Sequence, residues 1–484
     1  MPDLIKHVVL LLLENHSFDQ MLGALQGTPP QGVYPDLNGI PPNSPQRSNL
    51  NLKGEKIFQS PVEEKQMHLD PLHEVDAVAE QMSNNNSGFV TNFEKKYGKT
   101  SVEDAPFIMG YYPLDFLPAL HTLGREFTVC DRWYSSLPGP TWPNRFFALS
   151  GTSSGRVKMP DGIKAPDLAG FFQQNQDTIF DRLNEKGRSW KIYFYDFPCS
   201  LILTHQRKPE NIEHYREIKH FFEDVKDEKT FPDFVFIEPK YFGVDQNDDH
   251  PPHNTMKTEK LIADVFNAIR SYDDLWNSTL LVIAYDEHGG FYDHVTPPPA
   301  PPPDDHHEEY TFNQFGIRVP AILVSPWVEA RVEHTPFDHT SLLKYLTDKW
   351  GLGPLGNRTA AANSIAVALC EKRRDDTVGF IRVPYTELVP DHPEWEQEDS
   401  SAHHIGVQAF AYFLSKESDV ATAALLEKLA EGAGWWLKAQ SWLGEKFTSV
   451  GNWLSKGVQT VRQKKIEQTT NVAMRVLKAP RKQS

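Results

Sequence analysis

Six short stretches carry residues whose types and spacing can do chemistry. The first is LLLENHSFDQMLG, residues 11–23, where an apolar run ends abruptly in Glu14, Asn15 and His16. STLLVIAYDEHGG, residues 278–290, repeats the arrangement, an apolar run followed by Asp286, Glu287 and His288. Adjacent carboxylates repel each other, and a cation between them removes that cost. Taken singly, each cluster is equally a set of solvated loop acids; two of them at strand exits point to a shared site. PGPTWPNRFFALSG, residues 138–151, sets Thr141 just before Pro143, a residue favoured in a first helical turn. Backbone N–H groups at such a terminus attract anions, and a hydroxyl beside a metal and an anion becomes a nucleophile. The plainer alternative is that Thr141 only caps its helix. NDDHPPHNT, residues 247–255, contributes His250 and His253; FDHTSLLKYL, residues 337–346, contributes His339; LDPLHEVD, residues 69–76, contributes His73.

The elements that must position these residues follow from hydropathy. Residues 5–13, 231–239, 278–285 and 317–326 read as buried strands. Residues 114–134 read as helix, turn at Gly124, then strand, and 178–196 as helix, Gly stop, strand. Helices are expected from Ser17 to Gly23, over 72–82, 254–272 and 338–350, the last stopped by Gly351. Residues 26–65 are rich in Pro, Gly, Asn and Gln and read as a long surface loop, and 296–305 as an extended Pro-rich loop. Strands alternating with helices imply an α/β fold, a mostly parallel central sheet with helices on both faces. Ligands in such sheets bind beyond the carboxyl ends of the strands, where both acidic clusters fall.

Bulk composition narrows the function class. With 484 residues the chain is long enough for one large enzyme domain and an appendage, and 12% aromatic residues argue against disorder. A net charge of −16 argues against nucleic acid as a partner. Cys130, Cys199 and Cys370 are too far apart for a zinc knuckle or a disulfide framework. The first residues lack a classical signal peptide, so a cytoplasmic location or a dedicated export route is expected. No apolar run approaches the roughly 18 residues that span a bilayer.

The motifs ENHSFDQMLG, FTVCDRWYSSLPGPTWPNR, IEPKY with DDHPP, YDEHGGFYDHVTPP, and RVPAILVSPWV with FDHTS together resemble the bacterial phosphoesterase family of phosphatidylcholine-hydrolysing phospholipases C and related acid phosphatases. The likeness runs to about residue 350 and less clearly to about 415, giving a catalytic domain over 1–415 and a separate region over 416–484. It implies an alkaline-phosphatase-like core and divalent-metal chemistry, with Glu14, Asn15, Thr141, Asp286 and Glu287 as metal ligands and Thr141 as the nucleophile that forms a phospho-Thr intermediate. It places His250 at the phosphoryl group and His73 at the leaving group, and the wider superfamily suggests His339 as a further ligand. Mixed nitrogen and oxygen donors favour Zn²⁺, with Mn²⁺ or Ca²⁺ accepted by an oxygen-dominated shell.

Residues 432–484 break the pattern. Trp435, Trp442, Leu443, Val450, Trp453 and Leu454 fall near helical spacing, among ten Lys or Arg residues and two Glu. A helical C-terminal extension that touches the membrane surface fits this composition, as does a helical hairpin packed on the catalytic domain. Trp133, Tyr134 and Trp142 are expected to form a cation–π cage for choline. Three functions follow: a phospholipase C acting on phospholipid, an acid phosphatase acting on soluble phosphomonoesters, and a membrane-binding protein with a dead site, which the complete motif set disfavours.

Overall fold

The computed structural model of the chain describes residues 4–42, 47–98, 104–160, 168–173, 175–242, 245–306, 310–395 and 402–414. The expectations placed on 416–484, the helical extension and its tryptophan face included, lie outside the described residues.

Eight strands form the central sheet: β1 (His7–Leu13), β2 (Thr128–Cys130), β3 (Trp190–Phe194), β4 (Tyr215–Glu217), β5 (Phe234–Glu238), β6 (Thr279–Tyr285), β7 (Ala321–Val324) and β8 (Arg331–Glu333). Their order is β8-β2-β7-β6-β1-β5-β3-β4. All neighbours are parallel except at β7, which runs antiparallel to both β6 and β2. All seven residues of β1 are buried, so both faces of the sheet are covered there, and this accounts for a continuous apolar run where a half-exposed strand would alternate. Each fully buried Val or Leu contributes about 1.5–3 kcal/mol, so the six from Val8 to Leu13 anchor the strand firmly enough to carry acids at its exit. Among the described residues no helix is long and apolar enough to cross a membrane.

Several expectations are corrected. The helix Leu120–Glu126 runs straight through Gly124, where a turn was expected. A Cβ there would lie 2.7 Å from Leu25 Cδ1, so that glycine serves close packing and not a chain reversal. Residues 26–65 are not merely a surface loop: Ser48–Leu50 pairs antiparallel with Lys56–Phe58, and Leu37, Asn49 and Gln59 are buried. The helix expected over 72–82 spans Val75–Asn86, with Ser83, Asn84 and Asn85 outside helical geometry.

Five further helices matter below. Phe18–Leu22 (α1) is capped by Ser17. Thr141–Ser150 (α2) begins at Thr141 and stops at Gly151 in a left-handed conformation. Thr255–Arg270 (α3) is capped by Asn254. His339–Trp350 (α4) starts from an Asp338–Ser341 capping box. Ala402–Leu414 (α5) ends the described chain.

Candidate active site

The register of β1 on β6 creates the site. Each residue from His7 to Leu13 faces its partner from Thr279 to Tyr285, so the two polar clusters emerge side by side. The Asp286 N–H donates to the Leu13 carbonyl (3.0 Å), the Asn15 N–H to Asp286 Oδ1 (3.3 Å) and the His16 N–H to the Glu287 carbonyl (3.1 Å). Asn15 turns through a positive φ of 62°, a conformation asparagine tolerates. Gly289 crosses so close to Asn15 that a Cβ would sit 2.1 Å from its carbonyl oxygen.

Thr141 meets Asn15 from the start of α2. It is the first residue of α2, with Pro140 as its N-cap, and its hydroxyl lies 3.4 Å from Asn15 Oδ1. It is therefore not the cap of its helix, and it is buried. Asn144 delivers it. The Asn144 amide donates to the carbonyls of Leu137, Gly139 and Pro140, and its oxygen accepts from the Leu137 N–H, tying the incoming chain into a knot.

The buried acids of the site outnumber the charge that faces them. Glu14, Asp286 and Glu287 are fully buried, with Asp248 close enough to act on Glu14. Arg145 is the compensating charge at Glu14 and Asp286: its Nε donates to Asp286 Oδ2 (2.9 Å) and its Nη2 lies 3.2 Å from Glu14 Oε1. Burial pushes the Glu14 carboxyl far above its usual range despite Arg145. Burial likewise raises Asp286 to about 7, with Arg145 opposing and Glu287 reinforcing the shift. Burial also acts upward on Glu287, but the charges of His73 and His288 outweigh it and bring its carboxyl below the usual value. Neither oxygen of Glu14 makes a hydrogen bond, nor do Glu287 Oε1 and Asn15 Nδ2. An amide's oxygen and nitrogen are interchangeable in such a placement, so Asn15 is able to turn its oxygen to the same point. Orphaned buried carboxylate oxygens beside a single Arg fit a divalent cation, since unpaired buried charges are otherwise costly.

Two histidines face the pocket from another loop pair. The His73 Nδ1–H donates to the Pro71 carbonyl (2.9 Å) and the His250 Nδ1–H to the Pro251 carbonyl, leaving each Nε2 as the free tautomeric position. The rings stand edge to face, centroids 6.1 Å apart, with Asp70 Oδ1 within 3.9 Å of a nitrogen of each. Burial lowers both, but the charges of Glu287, Asp70 and Glu74 overcome it at His73 and raise that residue to about 9, whereas His250 stays depressed. Two neighbouring groups with opposed shifts suit opposite proton-transfer roles.

The family match is as clear as the geometry: residues 5–353 fit the model described as "Phosphoesterase family". The chain belongs to the phosphoesterase family. It is 32% identical over 424 residues to non-specific phospholipase C3 of Arabidopsis thaliana, covering 78% of each chain. It is 26% identical over 447 residues to phospholipase C B of Mycobacterium tuberculosis, covering 80% of this chain and 79% of that one. A solved Vibrio parahaemolyticus protein of the alkaline phosphatase superfamily aligns at a TM-score of 0.32 and 11% identity, over 76% of this chain and 88% of that one. This phosphoesterase is a phosphoric ester hydrolase.

The structure thus brings Glu14 and Asp286 together on Arg145 and Thr141 onto Asn15, with Glu287 next to Asp286, His73 close enough to act on Glu287, and the His250 ring edge to face with His73. His339 takes a different place. Its Nε2 donates to the Asp286 backbone carbonyl (2.6 Å) and its Nδ1 accepts from the Trp133 indole (3.3 Å), so both nitrogens are engaged and the ring holds the Asp286 backbone. His16 also turns away, bonding Gln20 and the Asp249 carbonyl. The expected choline cage is not formed: Trp133, Tyr134 and Trp142 are all buried, and the two indoles spend their N–H groups on His339 and His403. Sequence reasoning missed Arg145, although it stands in the PNR motif four residues after Thr141, and one helical turn is the signal that joins them. It also missed Asp248, whose Oδ1 is held by His253 (2.5 Å), and His403.

Proposed function

We propose that the enzyme is a metal-dependent phospholipase C that cleaves phosphatidylcholine-type lipids to diacylglycerol and a phosphorylated head group. The observation that carries this reading is the register-matched pair of strand exits, where orphaned buried carboxylate oxygens flank Asn15, the residue that the buried Thr141 hydroxyl meets. The names of the plant and mycobacterial relatives support the lipid substrate.

Glu14, Asn15, Asp286, Glu287 and the Thr141 oxygen would hold the cation. With His339 turned to the backbone these donors are all oxygens, which suits Ca²⁺ or Mn²⁺ better than the Zn²⁺ expected from a mixed shell. Once bound, a divalent cation supplies Lewis-acid polarisation of the Thr141 hydroxyl and of a phosphoryl oxygen. Thr141 Oγ1 gives up its proton to solvent and attacks phosphorus in line, forming an O–P bond while the bond from phosphorus to the diacylglycerol oxygen breaks. Protonated His73 gives its proton to that departing oxygen. The N-terminus of α2 and His250 stabilise the phosphoryl oxygens. Water, deprotonated by the now neutral His73, then attacks phosphorus and releases the phosphorylated head group, while the departing Thr141 oxygen takes up a proton from solvent to restore its hydroxyl.

The test is a panel of phosphatidylcholine, other phospholipids and a soluble phosphomonoester, assayed on the chelated protein reloaded with Ca²⁺, Mn²⁺ or Zn²⁺. Diacylglycerol release that disappears on chelation and returns with one cation is the expected result. Turnover of the phosphomonoester without diacylglycerol release would make the enzyme an acid phosphatase instead, and full turnover in a verified metal-free sample would overturn the cation.

A further inference from the structure

The helix α5 lies beyond residue 353, where the family match ends, yet it enters the active centre. Its aromatic end is anchored: Phe410 and Phe413 lie 5.0 and 5.3 Å from the Phe172 ring, and Arg207 stacks over Phe410 at 5.5 Å. Gly406 lets it press on the Trp142 indole, which a Cβ at that position would meet at 2.6 Å. The N-terminal turn then places His403, buried, against the site. Its ring stacks on Tyr241, centroids 4.4 Å apart and planes 25° from parallel, and Tyr241 accepts from Arg145 Nη1 (2.8 Å). The Trp142 indole N–H donates to His403 Nδ1 (3.3 Å), and Cys199 Sγ stands 3.5 Å from Nε2. The same Nδ1 is 3.5 Å from Glu14 Oε1.

We propose that His403 is a positioning residue of the active centre: it fixes the Glu14 carboxylate and the Trp142 indole beside Thr141, so that α5 completes the cation site from outside the family core. The inference rests on the reading of Glu14 as a cation ligand. Glu14 has no hydrogen bond of its own, so its direction is set by the walls around it. Arg145 forms one wall and His403 another. An indole N–H only donates, so in a neutral ring Nδ1 is an acceptor and the ring hydrogen sits on Nε2. Two acceptors 3.5 Å apart repel, which bars Glu14 from settling against the Trp142 side of the pocket. The same hydrogen bond holds Trp142, the residue after the nucleophile, and so ties α5 to the first turn of α2.

The experiment measures Mn²⁺ binding by calorimetry to the chelated full-length protein, alongside kcat and KM on a short-chain phosphatidylcholine. His403→Ala is expected to weaken Mn²⁺ binding and lower kcat, each by about 10–100-fold, the range for loss of a group that orients a ligand. KM should change little. His403→Asn, which restores a polar group near the Nδ1 position, should recover part of both. Phe413→Ala loosens the same helix away from the site and should shift Mn²⁺ affinity by no more than about threefold. Parental Mn²⁺ affinity in His403→Ala overturns the inference, as does an equal loss in Phe413→Ala, which would assign the effect to helix docking alone. If Glu14→Gln abolishes binding while His403→Ala does not, only the positioning role falls; if the parent protein binds no divalent cation, the cation reading falls and takes the inference with it.

Discussion

Gly289→Ala tests whether the contact between the two strand exits sets the catalytic geometry. Gly289 has φ +61°, and the added Cβ would lie 2.1 Å from the Asn15 carbonyl oxygen, 2.6 Å from its carbon and 2.9 Å from its Cα. All three are backbone atoms, so no side chain can swing aside. Reaching an ordinary contact requires the two turns to part by about 1 Å, and a misplacement of that size costs about 10²-fold in rate. The left-handed φ adds about 1–2 kcal/mol of strain in an L-residue. Gly54→Ala separates the two effects, because Gly54 has φ +80° and no atom within 4 Å of the added Cβ. Both variants should lose a little thermal stability. Only Gly289→Ala should lose about two orders of magnitude in kcat, read by diacylglycerol release from a short-chain lipid, together with cation affinity. Parental kcat in a folded Gly289→Ala protein would refute the argument that the Asn15 turn is held in register by this contact, and an equal loss in Gly54→Ala would assign the effect to general strain.

Thr141→Ala should abolish turnover in a folded protein while Thr141→Ser retains part of it, and a phosphoryl adduct trapped by mass spectrometry should appear only where the hydroxyl is present. Arg145→Met leaves Asp286 and Glu14 without their buried partner and should cost about 3–5 kcal/mol in cation-free protein; added cation should restore part of the melting temperature, and no difference between chelated and loaded protein would count against a shared charge site. Arg318 donates to Asp293 (2.9 Å) and Asp19 (3.0 Å), so Arg318→Met should destabilise by a similar amount. Burial works to raise the Asp19 carboxyl, but His294, Arg318 and Arg47 outweigh it and hold it well below its usual range. Its stabilising effect is therefore complete above about pH 4, near the unfolded value, and is lost as pH falls toward the folded one; denaturation followed against pH should show a shallower acid loss in Arg318→Met than in the parent. If residues 432–484 contact lipid, deleting them should reduce vesicle hydrolysis while sparing a soluble substrate, and a parallel fall in both would sink that reading.

The parts of the fold that were legible are those where one force dominates. Val8 to Leu13 and Leu280 to Tyr285 are buried on both faces, and only a central strand asks for so long an apolar run at that length. The two outermost strands, Tyr215–Glu217 and Arg331–Glu333, pair along one edge, hold three residues each and carry charged side chains, so no period can declare them. Gly124 misled for a different reason. A glycine signals a turn when judged by the backbone, but here its missing side chain is what the neighbour Leu25 requires.

The site divides along the same line. Clusters at strand exits were legible because acids directly after an apolar run conflict with packing. Their meeting was not, since register is set by pairing between residues some 270 positions apart in sequence. The tryptophans show the opposite error. An indole near a reactive hydroxyl reads as a binding surface, yet Trp133 and Trp142 each give an N–H to the Nδ1 of a histidine, His339 or His403, and each of those histidines lies against an acid of the site. Asp286 is held through its backbone carbonyl, whereas Glu14 Oε1 lies 3.5 Å from His403 Nδ1 without a hydrogen bond. The two strand exits are thus each flanked by a tryptophan–histidine pair, one through a hydrogen bond and the other through contact alone. One is built from the family core and the other from a helix outside it, which is why the sequence motifs lead to the first and not to the second.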